Sequence, residues 1–425
     1  MEKHPRWMKL DNAAKMYPAS RRRGWNSLFR LSATVSEPVD VTLLQKVLDK
    51  TVKRFPSMAV RISYGLFWYY LEEVTKAPEI EEEKSFPVAH MHFKDIRKCA
   101  FRVIVYKNRI ALEIYHALTD GNGAMVFLKT LVAEYLRERY GAQIPFTHGV
   151  LDCDEAPKDE ELEDSFLKHV GDYSASRKDK DAYKITGTQE AGIYNNVIIG
   201  QMNVEDVVRL SKGYGVSVTA FLSSVLIAAL IDDQNKYVPN KKRQKPVKLM
   251  MPVNLRKMFG SVTLRNFVSF VNPGVDPRMG EYTFEEIVKS VHHQMGMEIT
   301  DKNMMSKITP NVKSETNIIL RFAPLFIKNF AIKTVFTITG EKKSCMTFSN
   351  LGNIELPEEM KKYVQRFDFI VGPPSSGTYN CGVISYGGKL YVSFLSKIKE
   401  KEIEENFFCR LRKMGLHVKI ESNRR

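Results

Sequence analysis

The residues from Arg109 to Gly141, RIALEIYHALTDGNGAMVFLKTLVAEYLRERYG, constrain the fold more than any other stretch. Ile110, Leu112 and Ile114 fall on alternate positions, the pattern of a half-buried strand. That strand delivers His116 to its end. After the turn Leu118-Thr119-Asp120-Gly121-Asn122-Gly123, apolar residues recur at Met125, Leu128, Leu131, Val132, Tyr135 and Leu136. This is the spacing of an amphipathic helix, and Gly141 closes it. A histidine therefore stands where a strand breaks and a helix begins, followed four residues later by an aspartate and a glycine.

That arrangement suits a general base. An imidazole has an ordinary pKa of ~6.5, so near neutrality it is mostly unprotonated and can take a proton from an attacking hydroxyl or amine. Asp120 lies too close in sequence to be assumed the orienting partner of His116. Its expected role is structural, capping the helix or pairing with a distant arginine. Gly121 and Gly123 allow the positive φ or the close backbone approach that such a turn needs. The plainer alternative is a core histidine followed by an ordinary Asp-Gly turn. From average residue usage, H-x-x-x-D-G arises in a chain of 425 residues by chance roughly 3 per cent of the time, so the strand-turn-helix context carries much of the inference.

HALTDG resembles the H-x-x-x-D-G motif of the chloramphenicol acetyltransferase-like superfamily. That superfamily includes BAHD acyltransferases, nonribosomal peptide condensation domains, alcohol acetyltransferases and mycobacterial polyketide-associated acyltransferases. Chain length and the motif's position about a quarter of the way in fit the whole chain, and the similarity is greatest to the bacterial alcohol acetyltransferase-like branch. Two departures stand out. Condensation domains usually carry two adjacent histidines, and the first position here is Tyr115. The plant BAHD signature D-F-G-W-G is missing, and the nearest run is Asp368-Phe369-Ile370-Val371-Gly372. Both departures weaken amide-forming and plant-type chemistry and leave acyl transfer itself standing.

The resemblance implies an α+β chain of two chloramphenicol acetyltransferase-like subdomains, with mostly antiparallel or mixed sheets and flanking helices. Residues 1–175 would form the first, 176–192 a linker or crossover, and 193–425 the second. The segment ending Asn254-Leu255-Arg256 resembles the superfamily's N-L-R or D-L-R, whose arginine pairs with the motif aspartate; carried over, Arg256 partners Asp120. Asn266-Phe267 resembles the N-F segment beside the acyl channel, the alternative being an ordinary strand start. Phe348-Ser349-Asn350-Leu351-Gly352 resembles the FSNLG of alcohol acetyltransferase-like chains. There Ser349 or Asn350 could donate to a developing oxyanion, and plain turn chemistry after a strand is the equal alternative.

Composition narrows the partners. A chain of 425 residues exceeds one ordinary core and suggests two domains. Five cysteines without C-x-x-C spacing give neither a disulfide framework nor a zinc site, so no metal is expected. The first 25 residues lack an apolar core of signal-peptide length, and a cytoplasmic location is expected. Net charge is +15, which favours anionic partners. The basic residues are scattered except in Arg21-Arg22-Arg23 and in Lys236 to Lys248, and no nucleic-acid motif is present. A phosphate-bearing acyl-CoA or an acidic acyl carrier protein accounts for the charge more simply, and nucleic acid is not expected.

Along the chain, Asp40 caps a helix carrying Leu43, Leu44, Val47, Leu48, Val52 and Phe55. Strand runs Met58–Ser63 and Leu66–Val74 form a hairpin, as do Cys99–Tyr106 and Arg109–Tyr115. The run DCDEAPKDEELED, from Asp152 to Asp164, reads as solvated linker without catalytic carboxylates. A strand starting at Ile193, a short helix from Val204 and a deeply buried helix from Val218 to Gln234 open the second half. His292 and His293 fall on different faces of a surface helix, without metal spacing. The most hydrophobic stretch, Ile318 to Phe336, approaches membrane-spanning length but is interrupted by Arg321, Pro324, Lys328 and Lys333. It reads as a buried or channel-lining helix pair in preference to membrane-surface contact. Tyr379–Tyr386 and Lys389–Ser396 meet at Gly387-Gly388 as a hairpin.

The leading expectation is an O-acyltransferase: His116 deprotonates a small alcohol, or less readily an amine, which attacks the thioester of acyl-CoA or acyl carrier protein. No bound cofactor is required. The rivals are a non-catalytic module of the same fold that binds a carrier protein or amphipathic ligand, and an amide-forming condensation enzyme.

Overall fold

The computed structural model describes residues 7–21, 27–74, 76–83, 86–174, 179–192, 194–317, 322–375 and 377–424. Arg22, Arg23, residues 176–178 of the expected crossover, Ile193 and residues 318–321 of the hydrophobic stretch lie outside the described residues.

Two large sheets organise the chain. The first has strand order β13 (Val364–Ile370), β2 (Leu28–Val35), β7 (Arg109–Tyr115), β6 (Phe101–Tyr106), β5 (Glu81–Glu82), and a small sheet β1 (Trp7–Lys9), β4 (Tyr69–Glu73), β3 (Val60–Tyr64) accompanies it. The second runs β10 (Val268–Val271), β9 (Val247–Asn254), β12 (Met346–Asn353), β14 (Tyr379–Tyr386), β15 (Lys389–Ser396), β8 (Asn196–Asn203), β16 (Lys419–Ser422), with β11 (Gly274–Val275) also on β9. Most pairings are antiparallel; β12 runs parallel to both β9 and β14, and β5 to β6. The architecture is the expected α+β with mixed sheets and flanking helices.

Helix signals in the sequence act locally. Asp40 Oδ1 accepts from the Leu43 amide at 2.9 Å and starts the helix Val41–Arg54, whose buried Leu44, Val47, Leu48 and Val52 face the first core. The helix Val218–Tyr237 buries Phe221, Leu222, Val225, Leu226 and Leu230 in the second core. Gly387 and Gly388, both with positive φ, make the tight turn of the β14–β15 hairpin.

Four expectations are corrected. Strand β7 is buried on both faces. Glu113, on the face opposite Ile110, Leu112 and Ile114, is fully enclosed because Arg30 and Arg102, across from it on β2 and β6, bond its carboxylate at 3.0 and 2.6 Å. The acidic run after Asp152 is not wholly solvated: buried Glu161 takes both Nη atoms of buried Arg54, at 2.6 and 2.8 Å. The hydrophobic stretch is not a buried pair in its described part. Helix Leu325–Val335 keeps Phe326 and Phe330 73% and 76% exposed. Finally, β13 comes from the second half yet pairs with β2 in the first sheet, and Ile354, Leu356, Met360, Phe367 and Phe369 pack in the first core. Residues 354–370 thus leave the expected second subdomain, because β2 offers an otherwise open edge next to buried Leu31 and Ala33.

Candidate active site

His116 follows β7 directly, and its backbone amide donates to the Ser27 carbonyl at 2.8 Å, fixing where the strand ends. Its ring is clamped between aromatics. Tyr17 stacks on it at 4.6 Å and 20°, and Phe29 of β2 leans against it at 4.9 Å and 58°. Nδ1 lies 3.2 Å from Asn266 Oδ1.

Which atoms carry hydrogen follows from the next link. Asn266 Nδ2 and its backbone amide reach Asp11 Oδ2 at 3.2 and 3.4 Å, the Ala14 amide donates to Asp11 Oδ1 at 2.7 Å, and Arg265 Nε stands 3.7 Å from Oδ2. The hydrogen-bonding and ion-pairing contacts of the fully buried Asp11 are all donors, which turns the Asn266 NH2 to Asp11 and its carbonyl oxygen to His116. An imidazole facing a carbonyl oxygen places its hydrogen on Nδ1, which leaves Nε2 as the lone-pair nitrogen. Burial holds the His116 pKa below its ordinary value; its own carbonyl, Asp120, Asn266 and Asp11 pull upward without reversing the shift. At neutral pH the ring is therefore unprotonated.

Asp120 sits beside this array and does two structural jobs. Oδ1 caps the helix Gly121–Tyr140 by accepting from the Asn122 and Gly123 amides at 3.0 and 3.2 Å. Oδ2 takes Arg256 Nη1 and the Phe267 amide, each at 2.9 Å. Arg256 is itself fully engaged, with Nε on the Thr263 carbonyl at 2.7 Å and Nη2 on the Arg265 carbonyl, so it also holds the loop that carries Asn266. The motif helix, Arg256 and Asn266 form one connected unit across the two halves of the chain.

The glycines serve close packing, since neither Gly121 nor Gly123 has a positive φ. A Cβ on Gly123 would stand 2.2 Å from the Leu264 carbonyl oxygen, whereas one on Gly121 would meet only the flexible end of Leu351, at 2.8 Å. Backbone approach makes Gly123 the stricter requirement.

The remaining expected site residues lie on β12. Asn350 Oδ1 accepts from the Gly352 amide at 2.8 Å, a local turn contact, while its Nδ2 reaches across to Thr219 Oγ1 at 2.9 Å on the helix Val218–Tyr237. Ser349 stands opposite Gly382, half-buried, and its hydroxyl has no hydrogen-bond partner among the described residues. Asn266, expected beside a channel, contacts His116 directly. Asp11 and Tyr17 were missed altogether. They sit in the opening segment, where no motif or periodicity marks either one. Asp368 of β13 is likewise occupied elsewhere, bonded by Arg366 at 2.7 Å.

A cavity of about 200 Å³ opens against β12 at Phe348 and Asn350. Met251, Val253, Met295, Ile299 and Phe348 make its wall apolar, while Ser217, Thr219 and Asn350 add polar groups. Among the described residues no group of three or more His, Cys, Asp or Glu side chains is placed to hold a metal ion.

No family model matches the chain, and no curated protein matches it in sequence. Solved structures do match in shape. Polyketide synthase associated protein 5 from Mycobacterium tuberculosis superposes with a TM-score of 0.59 at 14% identity, over 95% of this chain and 96% of that one. F. graminearum TRI101, complexed with coenzyme A and deoxynivalenol, gives 0.61 at 10% identity over 97% and 99%. The wax ester synthase/diacylglycerol acyltransferase from Marinobacter aquaeolei VT8 gives 0.55 at 14% identity over 96% and 100%.

Proposed function

We propose that this chain, whose fold is the two-subdomain chloramphenicol acetyltransferase-like fold of those structures, is an O-acyltransferase that moves an acyl group from a thioester to an alcohol. The observation that carries the reading is the ordered chain Asp11–Asn266–His116, which presents an unprotonated Nε2 at a strand end. His116 Nε2 takes the proton of the acceptor hydroxyl as its oxygen attacks the thioester carbonyl. The new C–O bond leaves a tetrahedral oxyanion. The oxyanion then collapses, the C–S bond breaks, and the departing thiolate takes the proton from the imidazolium. Atoms and charge balance without an acyl-enzyme, so none of the five cysteines is needed as a nucleophile.

The Ser349 hydroxyl, not engaged within the described residues, is the candidate oxyanion donor on β12, and the cavity walled by Met251, Val253, Met295, Ile299 and Phe348 is the candidate seat of an acyl chain. Coenzyme A in the TRI101 complexes supports acyl-CoA as the donor to try first. An acidic acyl carrier protein is the alternative donor and suits the net charge of +15. The test is release of free thiol from short, medium and long acyl-CoA, with and without a panel of alcohols and amines, repeated with acylated carrier protein. Thiol release that depends on an alcohol supports the reading. No release from any donor with any acceptor sinks it.

Asp11 is a positioning residue in this scheme, and its replacement gives a signature that a purely structural role would not. In Asp11→Asn the amide can offer NH2 or carbonyl to Asn266, so the His116 tautomer is no longer dictated. Turnover is expected to fall about 10- to 10²-fold. The negative charge that pulls the His116 pKa upward is also lost. The acid limb of kcat/KM rises with pH as His116 deprotonates, below the ordinary ~6.5 in the unmodified protein, and it should move to still lower pH in the variant. A reduced rate with an unmoved limb would leave Asp11 a merely structural role.

A further inference from the structure

Helix Leu325–Val335 is built inside out. Lys328 is the residue it buries among those described: its Nζ lies 3.3 Å over the Trp68 ring and donates to the Phe67 carbonyl at 3.0 Å. Asn329 Nδ2 also points inward, to the Tyr69 hydroxyl at 2.9 Å. The large apolar side chains go the other way. Phe326 and Phe330, one turn apart, are 73% and 76% exposed, and Phe322, just before the helix, is 66% exposed. Leu66, 72% exposed at the tip of the β3–β4 hairpin, joins it, since its carbonyl accepts from the Leu325 amide at 2.9 Å. An apolar helix face held toward solvent by two inward polar anchors has a partner outside the protein.

Charge decides which partner. No aspartate or glutamate occurs between Glu315 and Glu341, whereas Arg321, Lys328 and Lys333 do. Two copies of this chain meeting through the face would bring like charges together on proteins of net charge +15. An anionic lipid surface accepts both features, the apolar side chains among its acyl chains and the exposed Lys333, on the same turn as Phe330, among its headgroups. We infer that the face made by helix Leu325–Val335 and the Leu66 hairpin docks the protein on an anionic membrane surface. No described single helix is long and apolar enough to cross a membrane. The same helix packs on the segment Met16–Ala19, whose Tyr17 lies against His116, which puts the docked face one layer from the candidate site.

The test needs no turnover and so stands apart from the acyltransfer reading. The full chain is sedimented with vesicles of phosphatidylcholine alone and with vesicles that also contain phosphatidylglycerol. The expected result is partition onto the mixed vesicles that weakens as salt rises. Phe326→Ser/Phe330→Ser should reduce it about 10- to 100-fold. Both side chains are exposed, so melting should be unchanged, and Leu66→Ser checks the same face from a different element. Absence of binding to any vesicle overturns the inference, as does binding that neither variant weakens. A concentration-dependent dimer that the paired variant disperses, without vesicle binding, would assign the face to self-association instead.

Discussion

Replacing His116 by alanine is expected to lower turnover about 10²- to 10⁴-fold, equivalent to roughly 2.7 to 5.5 kcal/mol of barrier. Acceptor-dependent thiol release is the readout. The loss should appear in kcat, because the proton is transferred only in the transition state and substrate contacts elsewhere persist. Removing the ring also removes its stacking on Tyr17 and its bond to Asn266, so the variant must be compared at matched melting temperature. His116→Gln is the companion: it can keep a polar contact to Asn266 but offers no base. A melting-matched His116→Ala protein that turns over at the unmodified rate would remove the histidine from the chemistry.

Asp120→Ala is expected to act first on folding. The carboxylate is buried and satisfies four donors, two of them helix-cap amides and one a guanidinium that ties the Asn266 loop. Deleting it leaves Arg256 charged and unpaired, a change that typically costs about 3 to 5 kcal/mol. That is a large fraction of the ~5 to 15 kcal/mol margin of a folded domain. Denaturant titration and soluble yield measure it. In an Arg256→Ala background the same substitution should cost less, because the orphaned charge is already gone. An Asp120→Ala protein that melts normally but has lost turnover would refute the structural role and put the carboxylate in the reaction.

How far the sequence led depends on the range of each interaction. Asp40 capping its helix, Gly387-Gly388 turning a hairpin and the strand-turn-helix around His116 are all settled within a few residues, and each is legible by eye. The Arg256–Asp120 pair spans 136 positions and was reached only through a resemblance. Asp11 had no such help. Its bond to Asn266 joins positions 255 apart, and a lone aspartate in a polar segment carries no periodic signal. Lys328 misled for a different reason: apolar residues normally predict burial, and only the folded chain shows that Trp68 takes the lysine and leaves the phenylalanines outside. Glu161 misled likewise, since a run of acids gives no hint which one meets Arg54.

The seating of β13 against β2 sets a timetable for synthesis. Strand β2 is complete when Val35 has been made, but the strand that covers its edge ends at Ile370. At ~5 to 20 residues per second, a ribosome leaves that edge without its partner for on the order of tens of seconds. The first half therefore cannot close its sheet while it is being translated. It must wait, with Leu31 and Ala33 beside an open row of backbone groups, for nearly the whole chain to emerge. A shortened chain ending before residue 354 would carry that opening permanently, and its natural fate is association through β2.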